Sequence, residues 1–189
     1  MTPLPSEDPA VDKQLAHAQG YADHMLRTTD SVTPALFLDT PAGEVFCILA
    51  GPDMSEATKD RMGHVCRMLA VSTRAMVSAL VMEAWMVRAK EGKLDTDTRP
   101  SLNLDREEVV NLMAGNLRGM RGRILAILRD DAGAYTGLGE SNMPDANGGE
   151  GRFTGILPQQ TPDIRAVMQA RFVTTSMGLI PEGCRPEWN

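Results

Sequence analysis

Arg74-Ala-Met-Val-Ser-Ala-Leu-Val-Met-Glu-Ala-Trp-Met-Val-Arg88 is the stretch that decides how this chain folds. Read with a period of two, one face carries Ala75, Val77, Ala79, Val81, Glu83, Trp85 and Val87. The other carries Met76, Ser78, Leu80, Met82, Ala84 and Met86. Both faces are apolar, so a strand here is covered on both sides and sits inside a sheet. A buried helix competes for any continuous apolar run, and Ala and Met favour it. The strand reading is preferred because the preceding segment already has helical periodicity and Ser72-Thr73-Arg74 is a break. Glu83 does not fit a purely structural strand, since it shares its face with Val81 and Trp85.

Working back from this stretch, the clearest helix spans 53–72. Asp53 can cap it and Glu56, three residues on, can complete a capping box. Met62, Val65, Cys66 and Leu69 form its core stripe, while Lys59, Asp60, His64 and Arg67 lie on the wetter side. Gly63 inside it costs about 1 kcal/mol against Ala and points to close packing. Before it, Ala35-Leu-Phe-Leu-Asp39 and Glu44-Val-Phe-Cys-Ile-Leu49 flank Thr40-Pro-Ala-Gly43, which makes a hairpin. Further back, Asp8-Pro9 starts an amphipathic helix over 9–27. Val11, Leu15, Ala18, Ala22 and Leu26 face inward and His17, Tyr21 and His24 form the other side.

Working forward, 89–104 is a polar loop. Strands follow at 107–114 and 123–129, with Gly115–Gly122 as a loop between them. A third strand at 134–139 completes a meander. A short strand is expected at 152–157. Thr161-Pro-Asp163 starts a last helix over 161–177, with Ile164, Val167, Met168 and Phe172 facing inward and Gly178 as its stop. The fold class is therefore α+β: a mostly antiparallel sheet of five to six strands with about three helices packed on it. The 189 residues form a single domain, with 1–8, 140–151 and 179–189 irregular.

Composition bounds the function. The 42% hydrophobic and 23% charged fractions are those of an ordinary soluble globular chain, and the 13 methionines serve as adaptable core filling. A net charge of −6 argues against a nucleic-acid binder that relies on a general positive field. No run approaches the length of a membrane span, and the acidic, proline-rich start is unlike a signal peptide. Cys47, Cys66 and Cys184 form no C-x-x-C and cannot all pair within one chain, so reduced thiols in a cytoplasmic protein are expected.

The segment Glu83-Ala-Trp85-Met86, followed by Asp105-Arg-Glu-Glu-Val-Val110, resembles a group of small bacterial and phage-type proteins. In that group an apolar strand ending in Glu-Ala-Trp-Met precedes a polar loop, then an Asp-Arg-Arg/Glu-Glu-Val-Val strand, one further strand and a Gly-rich turn. The likeness covers about residues 34–140. It implies the strand assignment and no activity.

The candidate ligand-binding residues are Glu83, Asn111 and Arg123. A buried carboxylate needs a cation, a hydrogen-bond network or a raised pKa. A Glu83 pair with Arg123 or Arg129, supported by Asn111, answers that need across neighbouring strands. No catalytic residue is assigned, because Glu83 has no partner acid or nucleophile. Nor is a metal site: His17 and His24 are about 10.5 Å apart at ~1.5 Å per residue, and His64-Val-Cys66 places its two groups on different sides of the helix. Gly137-Leu-Gly139 lacks the third glycine and following helix of a dinucleotide site, there is no Walker lysine or G-x-S-x-G elbow, and no cofactor is expected. Arg118, Arg121 and Arg123 read as a solvated hairpin tip. The favoured function is a non-catalytic binding or assembly protein with a protein partner or self-association. The alternative is a small enzyme or ligand sensor using Glu83 in a sheet-side pocket.

Overall fold

In the computed structural model of the chain, residues 8–49, 55–87, 102–103, 106–141, 146–147 and 153–179 are described. The decisive stretch forms a strand, β3 (Val77–Met86), hydrogen-bonded on both sides. It runs antiparallel to β1 (Ala35–Thr40) and to β4 (Glu107–Asn116), with Val81 opposite Ala35 on one side and Leu112 on the other. Adding β2 (Gly43–Ile48), β5 (Gly119–Arg129) and β6 (Tyr135–Glu140) gives the order β2-β1-β3-β4-β5-β6, antiparallel throughout. A two-residue strand, β7 (Ala146–Asn147), pairs with β5 beside Gly122 and Arg121. The α+β class follows directly from these pairings and three helices.

Each face of β3 is covered by a different helix. Helix α1 (Pro9–Thr29) packs Val11, Leu15, Ala18, Tyr21, Ala22 and Leu26 on Phe37, Val77, Ala79, Val81, Val110 and Leu112. Helix α2 (Glu56–Thr73) packs Met62, Val65, Cys66 and Leu69 on Leu36, Leu38, Leu80 and Met82. Full burial of a Leu or Val side chain stabilises by roughly 1.5–3 kcal/mol, and Leu80 and Val81, on opposite faces, are both sealed. Helix α3 (Ile164–Ser176) packs on α2.

Local chemistry sets the boundaries. The Ala10 amide donates to Asp8 Oδ1 at 3.0 Å, the expected cap, and Asn116 Nδ2 donates to Asp8 Oδ2 at 2.6 Å, tying the helix start to the end of β4. For α2 the cap is Ser55, whose Oγ accepts from the Thr58 amide at 3.3 Å; Asp53 lies outside the described residues. At the position directly before a helix, a serine hydroxyl caps as well as a carboxylate does. The α2 C-cap, Arg74, is left-handed at φ 55°, which realises the break before β3.

Several expectations need correction. Tyr21 belongs to the core, edge-on to Phe37 and Phe46, with its hydroxyl donating to Thr33 O at 2.8 Å. The Gly115–Gly122 stretch is mostly ladder: β4 and β5 continue to a turn at Leu117-Arg118. Glycine makes this possible, because a Cβ at Gly115 would lie 2.6 Å from Gly119 O across the hairpin. Residues 153–157 form turns and bends rather than a strand, and β7 falls inside the stretch read as irregular. Finally, α3 begins at Ile164, capped by Asp163 Oδ1 accepting from the Ala166 amide at 2.7 Å, not at Thr161.

Polar side chains fasten α1 to the far half of the sheet. Arg27 donates from Nε to Asp23 at 2.8 Å, and the Tyr135 hydroxyl donates to the same carboxylate at 2.6 Å. The Arg27 hydrogen bonds hold the Asp23 carboxyl below its ordinary value, with the Tyr135 bond adding to them against the effect of burial. Arg121 pairs with Asp12, and Arg123 donates to Gln19 Oε1 at 3.3 Å. Gln14, by contrast, is sealed under α1 with neither amide atom hydrogen-bonded among the described residues, a cost of about 1–3 kcal/mol.

Two measurements check this account. Leu69 is 1% exposed, whereas His64 is exposed on the same helix. In urea melts Leu69→Ala should lose about 2–5 kcal/mol and His64→Ala less than ~0.5 kcal/mol. Asp23 has a depressed folded-state pKa, so its contribution is present above the unfolded value of ~3.9 and is lost as pH falls through the folded value. Melts between pH 5 and pH 2 should therefore show a shallower acid-induced loss for Asp23→Asn than for the native chain; parallel curves would remove Asp23 from the helix-to-sheet attachment.

Candidate binding surface

The three residues singled out for ligand binding are not brought together. The alternation of β3 and its register with β4 put Glu83 opposite Val110, on the α1 face. Asn111 pairs with Met82 and so points to the opposite face. Arg123, opposite Leu112, returns to the α1 face but stands two strands away from β3 and bonds Gln19. The expected Glu83–arginine–Asn111 network is therefore absent among the described residues, because a period of two sends neighbouring positions to opposite sides.

Glu83 instead satisfies a backbone group. The Val32 amide donates to its Oε2 at 2.9 Å. Two further bonds hold the same connector between α1 and β1. The Tyr21 hydroxyl reaches Thr33 O, and Arg129 pairs with Asp30. Arg129 also donates from Nε to Glu108 at 2.8 Å and from Nη1 to Gly133 O at 3.2 Å. Its guanidinium is held further toward the charged form by the hydrogen bonds to Glu108 and Asp30. The polar residue interrupting the apolar face is thus part of a clamp on a chain crossing.

A cavity of about 200 Å³ lies between the β4–β5 turn and residues 155–159, lined by Ser78, Asn116, Arg118, Gly119, Ile156 and Gln159 among others. Ser78 belongs to the α2 face, and Glu83, Asn111 and Arg123 do not contribute to this cavity.

The largest departure from the sequence reading is on α3. Val167 (6% exposed), Ala170 (2%) and Thr174 (0%) face inward, leaving Ile164, Met168 and Phe172 exposed at 62%, 65% and 75%. The outward three recur every fourth residue and form a continuous apolar ridge about 12 Å long at ~1.5 Å per residue. Small Ala170 and short Thr174 allow α3 to approach α2 closely, which turns the bulky side chains outward. At ~100° per residue, Arg171 and Arg165 fall about 60° to either side of the ridge axis. Both are exposed. The apolar residues of α3 occupy more than one face, so sequence periodicity alone supported either assignment. The arginine pair bracketing 164/168/172 was the available signal for an outward face.

Comparison with protein-family models, with curated proteins and with solved structures finds no match. Among the described residues, no group of three or more His, Cys, Asp or Glu is placed to hold a metal ion, and no helix is long and apolar enough to cross a membrane.

The clamp makes a specific demand on Glu83. Glu83→Gln keeps an acceptor for the Val32 amide and should change stability by less than about 1 kcal/mol. Glu83→Ala strands that amide beside the buried Val32 and should cost about 1–3 kcal/mol. Equal losses for both variants in denaturant melts would mean that the charge of Glu83, not its hydrogen bond, is what matters.

Proposed function

We propose that this chain is a non-catalytic binding or assembly protein, of the bacterial or phage type its strand motifs resemble, and that the outward face of α3 is its docking surface. The observation that carries this reading is the Ile164/Met168/Phe172 ridge. Isolated apolar side chains on a surface are ordinary, but a contiguous ridge rimmed by charge marks an interaction site. Exposing three large side chains on a helix whose other side is fully packed gains nothing for the fold itself. Amphipathic helices of this kind are recognised through anchors spaced at one turn.

The enzyme or ligand-sensor reading built on Glu83 has less support. Its carboxylate is engaged by a backbone amide, and the cavity beside Ser78 lies on the other face of the sheet. A protein partner, or a second copy of this chain, fits the docking role better than nucleic acid does, given the net charge of −6.

Met168→Asp tests the proposal. Met168 is exposed, so the variant should unfold within about 0.5 kcal/mol of the native chain. It should nonetheless lose co-purification of any partner that the native chain retains from its host, while Glu83→Gln keeps it. Retention by Met168→Asp equal to the native chain would remove α3 from the docking role.

A further inference from the structure

We infer that the α3 ridge seats in an apolar groove with an acidic rim on a second, different protein. This inference rests on the binding-protein reading above and names the partner's chemistry. Ile164, Met168 and Phe172 supply the apolar anchors. Arg165 and Arg171 flank them on either side, exposed and without an ion pair among the described residues. From Thr161 to Leu179 the one acidic residue is Asp163, and its carboxylate is engaged as the α3 cap. On a chain of net charge −6 this helix is a local basic spot around an apolar line. Its complement is an apolar trough with carboxylates along both edges, where planar guanidinium groups can pair bidentately.

The charges also decide against a second copy as occupant. In an antiparallel pair of α3 helices crossing at Met168, Arg165 lies on the same flank as Arg165 of the other copy, and Arg171 on the same flank as Arg171. In a parallel pair Arg165 lies on the same flank as Arg171 of the other copy. Like charges meet either way. An anionic bilayer would attract the two arginines but repel the rest of an acidic chain.

The experiment uses the full chain with a photo-crosslinking benzoylphenylalanine at position 175, since Thr175 is exposed about one turn beyond Phe172, in line with the ridge and not one of its anchors. Irradiation in the cells that make the protein, followed by mass spectrometry, identifies what touches α3. Binding of that protein, purified, is then measured for the native chain, Met168→Asp and Arg165→Glu/Arg171→Glu at low and high salt. The chain alone is tested for self-association by sedimentation, and for binding to vesicles of phosphatidylcholine with and without phosphatidylserine. The expected result is an adduct with a different protein, binding abolished by Met168→Asp, and binding weakened about tenfold or more by the double charge reversal. Added salt should weaken the native complex too. Both arginines are exposed, and unchanged melting of the double variant shows that folding is intact. A partner lost with Met168→Asp but indifferent to the charge reversal and to salt would overturn the acidic rim and leave the binding-protein reading standing. A partner indifferent to Met168→Asp would overturn both. Adducts confined to a second copy or to residues 180–189 of the same chain, or binding to phosphatidylserine vesicles, would overturn the inference by naming another occupant.

Discussion

Burial of β3 on both faces is the constraint from which the architecture follows. A strand with Leu80 and Met82 on one side and Val77, Ala79 and Val81 on the other cannot lie at a surface without exposing one of the sets. It therefore recruits a hydrogen-bonded neighbour along each edge and a helix over each face. Within β1–β2 and β4–β5–β6 the antiparallel order follows from connection length. The β1–β2 and β4–β5–β6 links are short turns, which join only antiparallel neighbours, and α2 carries the chain over the second face between them. The two cores then differ in character. The α1 side is built on Tyr21, Phe37 and Phe46, the α2 side on Leu, Met and Cys66. Burial raises the Cys66 thiol to about 12, so that sulfur behaves as a small apolar group.

Helix α1 shows how a single covering helix is held in register. Its apolar stripe would tolerate sliding along the sheet, but its polar side chains do not. Asp8 meets Asn116, Asp12 meets Arg121, Gln19 meets Arg123 and Asp23 meets Tyr135. These contacts lie along one flank of the helix and engage β4, β5 and β6. Individually such partly exposed pairs stabilise little, and their shared effect is to fix position. Glu83 extends the arrangement to the connector after α1, where Val32 must turn back into β1. A buried amide there requires an acceptor, and a carboxylate reaching from the centre of the sheet supplies it.

Helix α3 obeys the opposite logic. It is attached through small side chains and leaves its bulky ones outside. A helix optimised only for packing on α2 would bury Phe172 and expose Thr174. That the reverse holds separates the attachment face from a face available to a partner. Because α3 rests on α2 and not on the strands, contact at its outer ridge leaves the two cores of the sheet untouched.

Sequence alone determined the elements whose periodicity had a single solution. The two-faced alternation of 75–87 specified an interior strand. The 11/15/18/22/26 and 62/65/66/69 stripes specified the covered faces of two helices, and Pro-Ala-Gly43 the hairpin, whose glycine sits at φ 121°. What only the tertiary structure decided were matters of competition between equivalent local choices. Glu83 needed a partner, but whether that was Arg123, Arg129 or a backbone amide depended on which groups chain crossing and strand alternation brought to one face. Tyr21, read with His17 and His24 as the other side of the helix, is inside because Phe37 and Phe46 offer a pocket and Thr33 O an acceptor. On α3 two apolar faces were available, and contact with α2 selected the one with small residues, since close approach of two helices favours Ala170 and Thr174 over Met168 and Phe172. Local pattern reports which residues avoid water; the packing partner decides which of them succeed.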